Sequence, residues 1–181
     1  MIGRLLRRGG ERRRTVETLH GRINDASRWP ALYEGLGVPD TVEGRFECLC
    51  LHVILALRRL NRLPEPGPDI AQDLVNSVFL QLDASLRELG VGDMGVPKRM
   101  KKLGAAFYGR AAGYDAALDA GDRDALAAAL ARNVIGREEA DAGPLADYVR
   151  ASADVLGAAD LAVFLGAGPL FPDPSPYGSH R

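Results

Sequence analysis

Two spacings in this chain could do chemistry. Gly90-x-Gly92-x-x-Gly95 has the letters of a dinucleotide-binding turn, and Lys98, Arg99, Lys101 and Lys102 follow closely enough to hold an anion at a helix start. Glu17-x-x-His20 has the helical spacing of a carboxylate–histidine pair in a di-iron centre. Neither fits its context. The dinucleotide turn follows a strand, whereas the apolar residues before Gly90 recur at helical spacing, and Asp93 would repel a pyrophosphate. A di-iron centre needs a second Glu-x-x-His, which the sequence lacks. His52 and His180 lie far from His20, so the three histidines form no metal set, and His20 reads as a surface residue.

The remaining chemical residue types also read as structural. Cys48 and Cys50, two apart on a helix, diverge too much for a disulfide or a shared metal and read as buried, reduced hydrophobes. His52 sits in an apolar run, where a hydrogen-bonded core histidine is the commoner case. There is no Gly-x-Ser-x-Gly elbow and no Gly-Lys-Ser/Thr ending of a phosphate loop. The expectation is a protein that is not an enzyme, with no catalytic residue, metal or cofactor. Four cations within the five positions 98–102, at a helix start, remain to be explained. Positive charge there opposes the helix dipole, so acidic groups of the chain (Glu88, Asp93) or of a partner are expected to answer it.

The positions around these residues read as helices. Thr15 to about Arg28 carries Val16, Leu19 and Ile23 at helical spacing, and Pro30 to Leu36 makes a short helical turn. Asp40 and Glu43 form an acidic variant of a capping box opening a helix to about Asn61. In that helix Phe46, Leu49, Val53, Leu57 and Leu60 form one stripe, while Leu51, Ile54 and Leu55 fill other faces. A helix apolar nearly all round belongs at the centre of a bundle. Past a proline-rich link, Asp69 is read as a cap, Ile70, Leu74, Val78, Leu82 and Leu89 as inward, and Gly90 as a stop. Pro97 suits a first helical position, and Met100, Leu103, Phe107, Ala111, Tyr114 and Leu118 follow as the next inward stripe. Asp122 caps a helix to about Asn133, Pro144 opens another to about Leu156, and Leu161–Leu165 makes a last turn. The prediction is an all-α fold, a single compact helical bundle with a buried central helix.

Composition agrees with one globular unit: 181 residues, 46% hydrophobic and 26% charged. The net charge of −1 hides an asymmetry, since residues 1–14 hold six arginines and one glutamate. That segment is read as a basic arm suited to a polyanion such as anionic lipid or RNA, residues 15–168 as the helical domain, and 169–181 as a proline-rich tail, extended or mobile. No signal peptide is visible, and the longest apolar run, Cys48 to Leu57, is far below the roughly 20 residues that span a bilayer. A cytoplasmic protein, at most peripheral at the membrane, is expected.

Longer motifs then carry a resemblance. Gly44-Arg45-Phe46-Glu47…Leu51-His52, Leu86-Arg87-Glu88…Gly90-Val91-Gly92-Asp93…Gly95-Val96…Lys98-Arg99…Lys101-Lys102 and Ala106-Phe107-Tyr108-Gly109-Arg110 resemble the ubiquinol–cytochrome c chaperone family. Leu32-Tyr33, Gly37-Val38-Pro39-Asp40-Thr41 and Arg132-Asn133 extend the likeness over roughly residues 15–172. Cys48 and Cys50 stand where larger aliphatics are usual, Glu47 where aspartate is, and Pro97 where glycine is.

The resemblance implies an assembly chaperone for the respiratory ubiquinol–cytochrome c reductase that binds newly made cytochrome b. A small partner protein, the ribosome and peripheral contact with the inner membrane are further implied contacts; specific DNA binding is not. Together with the charge cluster it suggests a client-binding surface of Arg87, Glu88, Asp93, Met94, Lys98, Arg99, Lys101, Lys102, Tyr108 and Arg110. The alternative is an RNA- or ribosome-binding helical module acting through basic patches. Exposed aromatics between the cations would favour it, since bases stack on them.

Overall fold

Residues 42–60 contain an apolar run that no single packing face can absorb. They form α3 (Val42–Leu60), and every residue from Cys50 to Leu57 is buried. The computed structural model describes residues 2–88 and 95–178, with the side chains of 2–9 left aside; Leu89, Gly90, Gly92, Asp93 and Met94 lie outside the described residues. Among the described residues there are α-helices, one π turn and one 3₁₀ turn, with no strand. Around α3 stand α1 (Ile2–Ala26), α2 (Pro30–Glu34), α4 (Gly67–Glu88), α5 (Gly95–Ala120), α6 (Arg123–Leu130), α7 (Gly143–Ala158) and α8 (Leu161–Leu165). The bundle with a buried central helix is the one the periodicity predicts.

The start of α3 is set by Thr41 and not by Asp40. The Thr41 hydroxyl oxygen accepts from the Gly44 amide at 3.0 Å, satisfying one of the free donors of the first turn. Asp40 instead accepts from Arg45 Nε at 2.6 Å. A Cβ on Gly44 would lie 2.0 Å from the Pro39 carbonyl oxygen, so the tight entry into α3 admits only glycine there.

α1 packs along α4, with Val16, Leu19 and Ile23 facing Ile70, Leu74 and Val78, all buried. Three expectations change here. The first helix begins at Ile2, continuous with the residues read as an arm, and Arg12 is fastened to α4 through Asp69 (3.1 Å) and Asp73 (2.5 Å). Because α4 starts at Gly67, Asp69 lies inside its first turn and is not its cap. His20 is also no surface residue. The approach of α4 buries it, and its Nδ1 lies 3.0 Å from Ser77 Oγ.

Further along, α5 starts at Gly95, so Pro97 is its third residue. Asp122 caps α6 as read, its carboxylate accepting from the Ala125 amide, and Arg123 grips Asp147 of α7 with two bonds of 2.7 Å.

The tail departs most from expectation. Leu170, Phe171 and Pro174 are buried, and the Phe171 ring meets His52 edge-on with centroids 4.7 Å apart. Arg22 of α1 steers the chain there by donating to the carbonyls of Phe164 (2.8 Å), Val163 (3.1 Å) and Gly168. Proline content hid two apolar residues with a core partner distant in sequence.

Enclosure of α3 predicts an asymmetry between adjacent positions. Leu51→Ala, fully buried, should cost about 2–5 kcal/mol in denaturant unfolding. Leu49→Ala, on the partly open side, should cost less than half as much. Equal losses would mean that the open side is packed like the rest.

Candidate functional site

Among the described residues, one face of α3 is left open. Near its N-terminal half, α1, α3, α4 and α5 border a groove of about 740 Å³. Its floor is apolar: Phe46 and Leu49 of α3, Val78, Leu82 and Leu86 of α4, and Leu103 of α5. Val42, 74% exposed, stands at its mouth. The rim is cationic, with Arg28, Arg45, Arg99, Lys102 and Arg110 against a single lining carboxylate, Glu43.

Helical geometry sorts the cation cluster. At about 100° per residue, positions 99, 102, 103, 106 and 110 of α5 share one face, and all five line the groove. Lys98, Lys101 and Tyr108 point elsewhere; all three are exposed, Tyr108 to 56%. Of the α5 residues proposed to border a client surface, Arg99, Lys102 and Arg110 line this groove, and Lys98, Lys101 and Tyr108 do not. Arg87 pairs with Asp83 one turn back on α4 at 2.7 Å, and Glu88 is exposed at the end of that helix. Asp93 and Met94 lie outside the described residues.

The rim cations differ in their ties. Arg110 is largely buried and donates to Glu47 Oε1 at 2.7 Å, while Glu47 Oε2 and Arg110 Nε are buried with no partner among the described residues. Desolvation holds the Glu47 carboxyl above its usual range, with Arg110 pulling the other way. Arg45 is engaged by Asp40. Arg28, Arg99 and Lys102 make no ion pair among the described residues.

Phe46, Leu49, Leu82, Leu86 and Leu103 are the floor residues that sequence periodicity assigned to an ordinary inward stripe or passed over. The available signal was Val42, a large apolar residue in a first turn that the stripe did not use.

The groups closest to chemistry are locked. His52 Nδ1–H donates to the Cys48 carbonyl (2.8 Å) and Nε2 accepts from the Tyr148 hydroxyl (2.8 Å), a tautomer assigned from the carbonyl partner. Burial pushes His52 down to about 4 and the thiols of Cys48 and Cys50 up to about 12, so all three are neutral at neutral pH. Among the described residues no group of three or more His, Cys, Asp or Glu could hold a metal. The glycine-rich stretch follows a helix, α4. No described helix is long and apolar enough to cross a membrane.

A family model described as ubiquinol-cytochrome C chaperone matches residues 34–171, which include α3, α4 and α5 and so three of the groove's four walls. The chain belongs to the ubiquinol–cytochrome c chaperone family. A curated relative, ubiquinol-cytochrome-c reductase complex assembly factor 1 of Xenopus laevis, is 28% identical over 131 residues, which is 71% of this chain and 65% of that protein. The match therefore spans just under two thirds of the frog protein. The crystal structure of the Cbp3 homolog from Brucella abortus is 42% identical, with a TM-score of 0.84 over 96% of this chain and 98% of that one. The all-α architecture is thus shared with a solved member of the group.

The buried histidine carries a pH prediction. A histidine neutral when folded and ordinary when unfolded binds more protons in the unfolded state between about 6.5 and about 4. Stability contributed by His52 is complete above about pH 6.5 and is lost as the pH falls through about 4; His20, also lowered by burial, acts in the same direction. Denaturant unfolding should therefore lose a few kcal/mol across that window, with Glu47, held above its usual range, acting in the opposite direction at the acid end. A flat profile from pH 6.5 to 4.5 would mean that His52 is solvated or charged in the fold.

Proposed function

We propose that this chain is an assembly chaperone for the ubiquinol–cytochrome c reductase and that its groove receives an apolar segment of newly made cytochrome b. The observation that carries this reading is the groove: an uncovered apolar floor inside a cationic rim whose Arg28, Arg99 and Lys102 are unpaired among the described residues. A membrane subunit awaiting assembly presents apolar segments flanked by charged loops. The floor would shield the first, and the rim would answer anionic side chains or lipid headgroups beside them. Family membership supports the client class, and the locked state of His52, Cys48 and Cys50 supports holding without covalent chemistry. Such a protein would work at the cytoplasmic surface of the inner membrane, peripherally.

A second reading has one observation of its own. Lys98, Lys101 and the exposed Tyr108 share the outer face of α5, an aromatic among cations of the kind that stacks on bases. On this reading that face would contact RNA or the ribosome while the groove holds the client.

Paired charge reversals separate the faces. Arg99→Glu with Lys102→Glu should cut cytochrome b co-purification from host membranes by about tenfold, an effect that added salt imitates in the parent protein. Lys98→Glu with Lys101→Glu should leave capture within about twofold, and both pairs should keep parental helicity, since exposed charge changes move stability by less than about 0.5 kcal/mol. Capture unaffected by the first pair and lost with the second would move the client to the outer face.

A further inference from the structure

A second concavity lies where the C-terminal end of α3 meets α5 and α7, away from the groove. Its volume is about 470 Å³, and four arginines line it: Arg58 and Arg59 of α3, Arg62 just past the end of that helix, and Arg150 of α7. Cations at the last turn of a helix answer its negative end, which accounts for part of this charge. Acidic neighbours account for another part. Arg58 pairs with Asp115 (2.9 Å) and Asp119 (2.5 Å), and Arg62 shares Asp119 at 3.1 Å.

Arg59 and Arg150 are left over. Arg59 spends only its Nε–H, donated to the Ala159 carbonyl at 2.8 Å, so its two terminal nitrogens have no partner among the described residues. Arg150 is exposed and makes no ion pair among the described residues, although its charge acts on Asp147, three residues back on α7, which Arg123 already holds. The carboxylate that lines the pocket, Asp154, lies one turn along α7 from Arg150 and is not paired with it.

We propose that this pocket binds an organic phosphate, its oxyanion held by Arg59 and Arg150 and its organic part resting on Leu118 and Leu156. A guanidinium fork offers parallel N–H donors that match phosphate oxygens, and the Ala159 carbonyl fixes the Arg59 fork before any ligand arrives. Preset donors lose little freedom on binding. The volume exceeds what a bare phosphate fills and lies within the range of about 300–1,000 Å³ common to small-molecule sites. Asp154 opposes an anion and thereby supplies a test of sign. The inference is independent of what occupies the groove.

The test titrates the full-length, isotopically labelled protein with glycerol 3-phosphate at constant ionic strength. It follows the Arg59 Nε–H signal and the backbone amides of Arg150 and Gly157. Saturable shifts are expected at all three. Arg150→Gln should weaken binding about fivefold and Asp154→Asn should tighten it by a similar factor, a pair of opposite effects that unfolding cannot produce. Absence of saturable shifts, or equal affinities in the two variants, would overturn the proposal. Phosphatidylcholine vesicles carrying phosphatidylglycerol identify the source. Perturbation of the same signals by the vesicles, abolished by Arg150→Gln, assigns a lipid headgroup. Binding of glycerol 3-phosphate that such vesicles do not displace assigns a soluble ester.

Discussion

The constraint on which the structure depends is the need to enclose α3. Eight consecutive residues, Cys50–Leu57, are buried, and a helix presents that many successive side chains in every direction. Two packed layers cannot satisfy it, so helices must surround it, and the C-terminal segment supplies part of the cover. His52 shows why that segment is ordered. A polar ring at the centre of an apolar helix must be hydrogen-bonded, and Tyr148 of α7 and the Cys48 carbonyl fulfil that need while Phe171 seals its face. One buried imidazole thus ties α3, α7 and the tail into one core.

The same enclosure explains the groove, because it is incomplete. Burial is continuous from Cys50 to Leu57 and gives way to the partly open Phe46 and Leu49 nearer the N-terminus of α3. There α1, α4 and α5 stand far enough apart to leave about 740 Å³ between them. The groove's apolar floor is rimmed by cations, of which Arg28, Arg99 and Lys102 make no ion pair among the described residues. α5 serves both duties at once. Phe107 and Tyr114 anchor it in the core, while Arg99, Lys102 and Leu103 face the opening.

Features written in local pattern were legible in the sequence: the central helix, the core role of His52, the Asp122 cap and the turn at Leu161–Leu165. What depends on a distant partner was not. Asp40 and Thr41 can both cap, and only the position of Arg45 decides that Asp40 makes an ion pair instead. His20 shares a helix with exposed Glu17 and reads as surface until α4 brings Ser77 against it. Leu170 and Phe171 sit among prolines, a composition that signals extension, yet both are buried and the His52 partner of Phe171 lies more than a hundred residues earlier. The cation run was visible as charge, but which of its members line the groove was not. Four neighbours in sequence cannot share a face when each step turns by about 100°.

Photo-cross-linking tests most directly whether the groove is where the client sits. A photoreactive amino acid placed at Leu103, on the floor, is compared with one at Lys101, on the outer face of the same helix, in the full chain within its host. Occupancy of the groove predicts an adduct with cytochrome b from position 103 and none from position 101. An adduct from 101 alone would contradict it and place the client on the outer face of α5.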